Sequence, residues 1–279
     1  MITALCGGVG GAKLALGLYR ELPAGELSVI VNTADDLEFC GLRVSPDLDT
    51  VMYTLAGLAR RDAGWGIQGD TFHALDGLRH YGAEAWFQVG DRDLATDVFR
   101  TQALRQGKTL TEVTAAMAGS LGVRASILPM TDGQVATRLR VHDSWIAFQD
   151  YFVRRGHRDP VSAVEYSGIE AAFPTEAARA AVEGAEAIVL VNSNPVLSIL
   201  PAVSLPGMRE LLAGSGAPRV AVSPIIGSDA ISGPAGELMA LIGEAASVLG
   251  VARAYREFID GIVIDDRDSS QADDIRSMG

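Results

Sequence analysis

Ile2-Thr3-Ala4-Leu5-Cys6-Gly7-Gly8-Val9-Gly10-Gly11-Ala12-Lys13 opens the chain after Met1. An apolar run breaks into four glycines within five positions, and Lys13-Leu14-Ala15-Leu16-Gly17-Leu18-Tyr19 then reads as a helix. Glycine leaves the backbone bare and tolerates positive φ. Strand, glycine turn and helix N-terminus together form an anion cradle, because first-turn N–H groups and the helix dipole favour negative charge. Gly8, Val9, Gly10, Gly11, Ala12 and Lys13 are the expected phosphate-binding residues, against the alternative of a tight turn that binds nothing. The standard fingerprints fit poorly. A G-x-G-x-x-G frame from Gly8 puts Lys13 where a small residue belongs, and Ala12-Lys13-Leu14 lacks the hydroxyl of a Walker A loop.

Outward from this turn, Leu27–Val31 is a largely apolar run, the pattern of a strand covered on both faces of a parallel sheet. Ala187–Val191 repeats it, Ala217–Val222 reads as one more strand, and Gly261–Ile264 is a last, shorter apolar strand. The first strand and three others end in distinctive loops: the glycine turn, Asn32-Thr33-Ala34-Asp35-Asp36, Asn192-Ser193-Asn194-Pro195 and Ser223-Pro224-Ile225-Ile226-Gly227. In an open parallel sheet these loops line the carboxyl edge, where ligands bind. Helices are predicted over 51–60, 71–79, from about 94 to 106, 110–121, 174–183 and 235–249. Ile127-Leu128 and Val135–Val141, around Thr131-Asp132-Gly133, read as a β-hairpin. Residues 88–164 therefore look like an inserted α+β subdomain within an α/β core formed by 1–87 and 165–279.

The 279 residues carry 23 Lys and Arg against 35 Asp and Glu, a net charge of −12. That balance, with Arg154-Arg155 as the densest basic spot, argues against a nucleic-acid partner. No stretch approaches the ~18 apolar residues of a membrane helix, and no leader pattern precedes the first strand. Cys6 and Cys40 have no metal-type spacing and read as buried thiols of a cytoplasmic protein.

Carboxylates carry the candidate chemistry. Asp35-Asp36 close the second strand, and Asp47 and Asp49 follow in Ser45-Pro46-Asp47-Leu48-Asp49-Thr50. Such oxygen-only groups suit Mg²⁺, which takes one or two carboxylates plus phosphate oxygens and water. An Asx turn, helix capping, or a ribose-binding role for Asp35 are the competing readings. Gly90-Asp91-Arg92-Asp93 is either a self-satisfied ion pair or a substrate clamp. Trp65, between Gly64 and Gly66, either stacks on a ring or packs over its own loop. The four histidines have no ligand spacing, and no serine lies in a nucleophile elbow.

Seven blocks, in order, resemble the 2-phospho-L-lactate transferases of coenzyme F420 biosynthesis. They are Gly7–Lys13, Asn32–Asp36, Ser45–Thr50, Gly64-Trp65-Gly66, Gly90-Asp91-Arg92-Asp93-Leu94-Ala95-Thr96, Ser193-Asn194-Pro195 and Ser223–Gly227. The resemblance implies a Rossmann-like core with helices on both faces, a homodimer and a need for Mg²⁺. It also implies transfer of a phospho-acid group from a guanosine diphosphate-linked small acid to the hydroxyl of the deazaflavin Fo, releasing GMP. Carried onto this chain, the glycine turn would cradle the diphosphate and Asn194 with Pro195 would lie by the guanosine. Asp35 and Asp49 would hold Mg²⁺. Ser45, Asp47, Trp65, Asp91, Arg92 and Asp93 would face Fo, with 88–164 contributing to that side. Asp47, Lys13 and Arg92 would carry the catalysis.

The chain departs from the family at Ala34 (usually glycine), Asp97 and Ala147 (often histidine) and Asn192 (usually proline), and the family runs on past Gly279 with another apolar strand. Two other readings differ in class. A non-catalytic nucleotide-sugar-binding regulator of the gluconeogenesis-factor group shares the glycine-rich start but lacks the Gly90–Thr96 block. An NAD-dependent dehydrogenase is disfavoured by the glycine spacing.

Overall fold

Six parallel strands run through the centre of the molecule in the computed structural model, which describes residues 1–227, 229–230 and 235–278. In chain order the strands are β1 (Ile2–Cys6), β2 (Leu27–Val31), β3 (Leu37–Phe39), β4 (Leu42–Val44), β5 (Ser126–Pro129), β6 (Ala136–Val141) and β7 (Ser144–Ala147). They continue with β8 (Val161–Ser167), β9 (Ala187–Leu190), β10 (Arg219–Val222), β11 (Ile225–Ile226), β12 (Asp229–Ala230) and β13 (Gly261–Val263). The central order is β13-β10-β9-β1-β2-β5.

Every residue of β2 is buried, Ser28 included, as its largely apolar run predicts. Side chains alternate between two cores, as the pleat dictates. Ala4, Cys6, Val29 and Val31 pack on one side with α1 (Gly8–Glu21) and α2 (Pro46–Leu55), whereas Leu5, Ile30, Ile188 and Leu190 join the core on the other. Helices thus cover both faces of a Rossmann-like sheet. The chain leaves β1 for β2 on one side and returns to β9 on the other, so the order reverses between β1 and β9. The crevice outside such a reversal is the usual ligand site of an open α/β sheet.

Further helices are α3 (His73–His80), α4 (Asp91–Arg105), α5 (Leu110–Ser120) and α6 (Glu176–Glu183). The α5 start is sharply encoded: the Thr109 hydroxyl accepts from Glu112 N–H, and Glu112 accepts from Thr109 N–H. This reciprocal pair satisfies two otherwise orphaned donors.

Three expectations are corrected. The hairpin joining Ile127-Leu128 to Val135–Val141 does not form: β5 lies parallel to β2, while β6 pairs antiparallel with β7 and β8. The turn chemistry of Thr131–Gly133 is real, but it links two sheets rather than two paired strands. Residues 88–164 accordingly contribute α5 and β5 to the central layers, and the antiparallel unit extends to Ser167. The helix expected over 235–249 is two, Ala235–Leu241 and Val248–Tyr255. Cys6 is buried, but Cys40 is exposed, at φ 51 in the β3–β4 turn.

Candidate active site

The glycine turn is shaped by what presses against it. Gly7 is extended, and Gly8 has φ +63, so the chain enters α1 through a left-handed residue. A Cβ on Gly11 would lie 2.2 Å from Ser193 Oγ and 2.9 Å from Cys6 Sγ; one on Gly7 would lie 2.6 Å from Asp47 Oδ2. Ser193 Oγ donates to Gly7 O at 2.6 Å and accepts from Gly7 N–H at 3.1 Å. The missing side chains therefore let the α1 N-terminus settle onto the loop after β9. Gly64 closes the other side, since its Cβ would meet Val9 at 2.3 Å. The Trp65 loop thus lies against the glycine turn, with the Arg60 guanidinium 5.7 Å from the Trp65 ring centre. Lys13, a turn further along α1, is exposed.

Pro46 is the first residue of α2 and suits that position because it has no N–H to satisfy. The helix starts five residues before the predicted Val51, which places Asp47 and Asp49 in its first turn. Asp47 accepts from Asn32 Nδ2 at 3.0 Å. Burial nonetheless raises its carboxyl to about 6. Asp35 is only 6 % exposed and its Oδ1 has no hydrogen-bond partner. Burial first, then the charge of Asp47, pushes the Asp35 carboxyl well above the usual range. Both acids are buried at the carboxyl edge of the sheet.

Asp49 is placed differently. Its Oδ1 is held by Arg100, a fully buried guanidinium that also bonds Asp97 Oδ1 at 2.7 Å. Asp36 accepts from Ser45 Oγ at 2.8 Å and from Arg43 at 3.2 Å. Burial raises Asp36 and Asp93 to about 7 and Asp97 to about 8. Losing one partner of a buried pair such as Asp97–Arg100 costs about 3–5 kcal/mol, because a charge is stranded.

The Gly90–Thr96 block divides between support and exposure. Asp91 caps α3, accepting from Thr71 Oγ1 at 2.6 Å, Ala74 N–H at 2.9 Å and His73 N–H at 3.0 Å. Asp70 caps α4 through Arg92 N–H at 2.9 Å and Asp93 N–H at 3.1 Å. A Cβ on Gly90 would strike Asp70 Oδ2 at 2.2 Å, which explains the glycine there. Asp93 turns inward to accept from the Tyr53 hydroxyl at 2.7 Å. The Arg92 side chain alone of these three is exposed, touching Gln68 O at 3.3 Å.

Asn194 Oδ1 accepts from Val196 and Leu197 N–H at 3.0 and 3.1 Å, leaving its amide nitrogen for a ligand, and Pro195 is buried behind it. The structure therefore brings Gly8–Ala12, Asp35, Asp47, Ser45 and Asn194 to one edge, joins Trp65 to it through Val9, and gives Asp91 and Ser45 structural partners. Asn32, Tyr53 and Arg100 went unrecognised in the sequence. Only the Asp97–Arg100 spacing of three hints at a pair, since the contact with Asp49 spans 51 positions.

The raised carboxyls have a measurable consequence. Asp36, Asp47, Asp93 and Asp97 hold protons in the native state to about pH 6–8, whereas an unfolded chain releases them near pH 4. Between these limits the native state binds more protons, so its stability falls as pH rises. Calorimetry without divalent cations is expected to give a Tm several degrees lower at about pH 8 than at about pH 5, partly recovered by Mg²⁺. A flat Tm over that range would contradict the buried acid shelf.

Fold and site define a Rossmann-like α/β protein with an acid-rich crevice at the switch point of its sheet. The family described as 2-phospho-L-lactate transferase CofD matches residues 2–277. A 2-phospho-L-lactate transferase of Methanosarcina mazei is 42 % identical over 94 % of this chain and 86 % of its own length. A phosphoenolpyruvate transferase of Streptomyces coelicolor is 38 % identical over 100 % of this chain and 89 % of its own. In three dimensions a member of the UPF0052 family from Bacillus halodurans aligns at TM-score 0.62 and 16 % identity, covering 99 % of this chain and 84 % of that one, a likeness of fold. The chain belongs to the 2-phospho-L-lactate transferase CofD family and is a transferase of phosphate-containing groups. Among the described residues no helix is long and apolar enough to cross a membrane.

Proposed function

We propose that this protein transfers a phospho-acid group (phospholactyl, enolpyruvyl phosphate or phosphoglyceryl) from a guanosine diphosphate-linked donor to the terminal hydroxyl of Fo, releasing GMP, in coenzyme F420 biosynthesis. The observation that carries this reading is the family match over residues 2–277. A Mg²⁺ requirement, a homodimer and a cytoplasmic setting belong to the same proposal.

The donor set suits a hard cation: carboxylate oxygens, with Asp35 Oδ1 buried and unpartnered beside Asp47. Among the described residues no group of three His, Cys, Asp or Glu is arranged to hold a metal ion. A cation held by Asp35 and Asp49 would therefore complete its shell with phosphate oxygens and water. When bound, Mg²⁺ supplies charge neutralisation on the transferring phosphorus and its leaving oxygen.

The residues of the chain have separate tasks. The N–H groups at the start of α1 face developing negative charge, and Lys13 adds a cation from the next turn. Asp47, at about 6, accepts the proton of the attacking hydroxyl near neutral pH. The hydroxyl oxygen bonds to the phosphorus bearing the acid, the bridging P–O bond breaks, and GMP leaves with its electron pair. Arg92 and Trp65 offer a cation and a ring face to the Fo side.

The test supplies Fo, Mg²⁺ and each guanosine diphosphate-linked acid in turn, with the product weighed by mass spectrometry. One donor is expected to yield the phospho-acid adduct of Fo together with GMP. No adduct from any of the three, or equal binding of GDP and UDP, would defeat the reading.

A further inference from the structure

We propose that Arg100 is a positioning residue that fixes Asp49 for cation binding, with Asp97 as its second anchor; this rests on the reading of Asp49 as a metal ligand. Arg100 is fully buried in α4 and reaches three groups on two other elements and its own. Its Nη2 bonds Asp49 Oδ1 in α2, and its Nη1 bonds both Asp97 Oδ1 at 2.7 Å and Arg43 O at 3.2 Å. A planar guanidinium is suited to this because its N–H groups diverge in a fixed fork.

The geometry leaves Asp49 half engaged. Arg100 takes one carboxylate oxygen and so fixes the side-chain torsion that sets the other. Asp97 holds the guanidinium from behind at a spacing of one helical turn. Arg43, whose carbonyl Arg100 holds, carries its own guanidinium to Asp36 at 3.2 Å. The α4 anchor is itself fastened next to the site through Tyr53, whose hydroxyl lies 2.7 Å from both Asp93 Oδ1 and Thr96 Oγ1.

Charge leads to the same residue. Asp36, Asp49, Asp93 and Asp97 all lie within the field of Arg100. Its charge opposes the burial that raises these four carboxyl groups, with help from Arg43 at Asp36. Without Arg100, the Asp49 side chain would be free to turn away, and a ligand would be lost from the edge. Partners that orient a metal ligand typically change metal affinity about 10- to 100-fold when removed.

The experiment measures Mn²⁺ binding to the full chain by electron paramagnetic resonance, without turnover, alongside circular dichroism and Tm. Arg100→Met is expected to weaken Mn²⁺ binding at least about tenfold, and Arg100→Lys, which restores the charge but not the fork, to recover part of it. A folded Arg100→Met protein that binds Mn²⁺ like the wild type overturns the proposal. If that variant does not fold, Asp97→Asn decides: it keeps Arg100 on Asp49 while removing its anchor. Asp97→Asn is expected to weaken binding about three- to tenfold, and unchanged affinity overturns the proposal. Asp49→Asn separates the two claims. Wild-type affinity in Asp49→Asn sinks the metal reading itself, whereas weakened affinity there with normal affinity in both other variants sinks only the role of Arg100.

Discussion

Asparagine at position 35 is expected to lower turnover about a thousandfold while making the metal-free protein more stable. The two effects come from one fact. Asp35 is buried, its Oδ1 has no partner, and the charge of Asp47 lies beside it. In the absence of a cation that arrangement is unfavourable, and a neutral amide relieves it by about 1–2 kcal/mol at pH 8. In the transfer reaction the same carboxylate contributes a charge that an amide lacks. Steady-state kinetics with saturating donor, Fo and Mg²⁺, set beside calorimetry without metal, checks both halves. Near-normal turnover would remove Asp35 from the site. Lost turnover with lowered stability would point to simple damage to the fold.

Alanine at position 11 is expected to cost about 2–3 kcal/mol, lowering Tm by roughly 5–10 °C. The added methyl would stand 2.2 Å from Ser193 Oγ, 2.9 Å from Cys6 Sγ and 2.9 Å from Val191 Cγ2. Ser193 has little freedom to give way, because it bridges the N–H and the carbonyl of Gly7. The displacement would therefore pass to the glycine turn, and under the proposed function donor affinity should fall with stability. Gly17 provides the control on the same helix. No atom lies within 4 Å of a Cβ there, and the position is exposed. Gly17→Ala should stabilise by about 0.5–1 kcal/mol through helix propensity alone. Equal effects at 11 and 17 would show that packing against the Asn192–Pro195 loop is unimportant.

The core of the fold was legible because its signals are local. Largely apolar runs at Leu27–Val31 and Ala187–Val191 mark buried parallel strands, and Thr109 with Glu112 marks a helix start within four residues. The Ser126–Pro129 strand is legible as a strand, but its partner is not, for the converse reason. A short apolar run followed by Thr-Asp-Gly has the same pattern whether the next strand pairs with it or goes elsewhere, and only the open edge of β2 decides. Within the site, Asp35, Asp47 and the glycine turn stand at strand ends or in a helical first turn, where sequence position itself indicates the carboxyl edge. Arg100 could not be found in this way. It lies mid-helix among ordinary helix formers, and its importance comes from burial and from a partner 51 residues away. Asp91 shows the reverse error: a charged residue in a charged loop invites a substrate role, yet its carboxylate holds three donors of the α3 turn.

The central place of β1 has a consequence for synthesis. It leaves the ribosome before the other strands of the sheet, and β2 follows 25 positions later, register for register from Ile2 with Leu27. Its other edge is filled only by β9, whose pairing begins with Ala187. Until then the nascent chain carries an unpaired, apolar strand edge, the kind of surface that recruits neighbouring chains. The contact between Gly7 and Ser193 spans 186 positions, so the glycine turn meets the loop after β9 only when that wait ends. Ligand binding in this protein thus reports the completion of a long-range folding step, and slow translation before residue 187 should favour aggregation over catalysis.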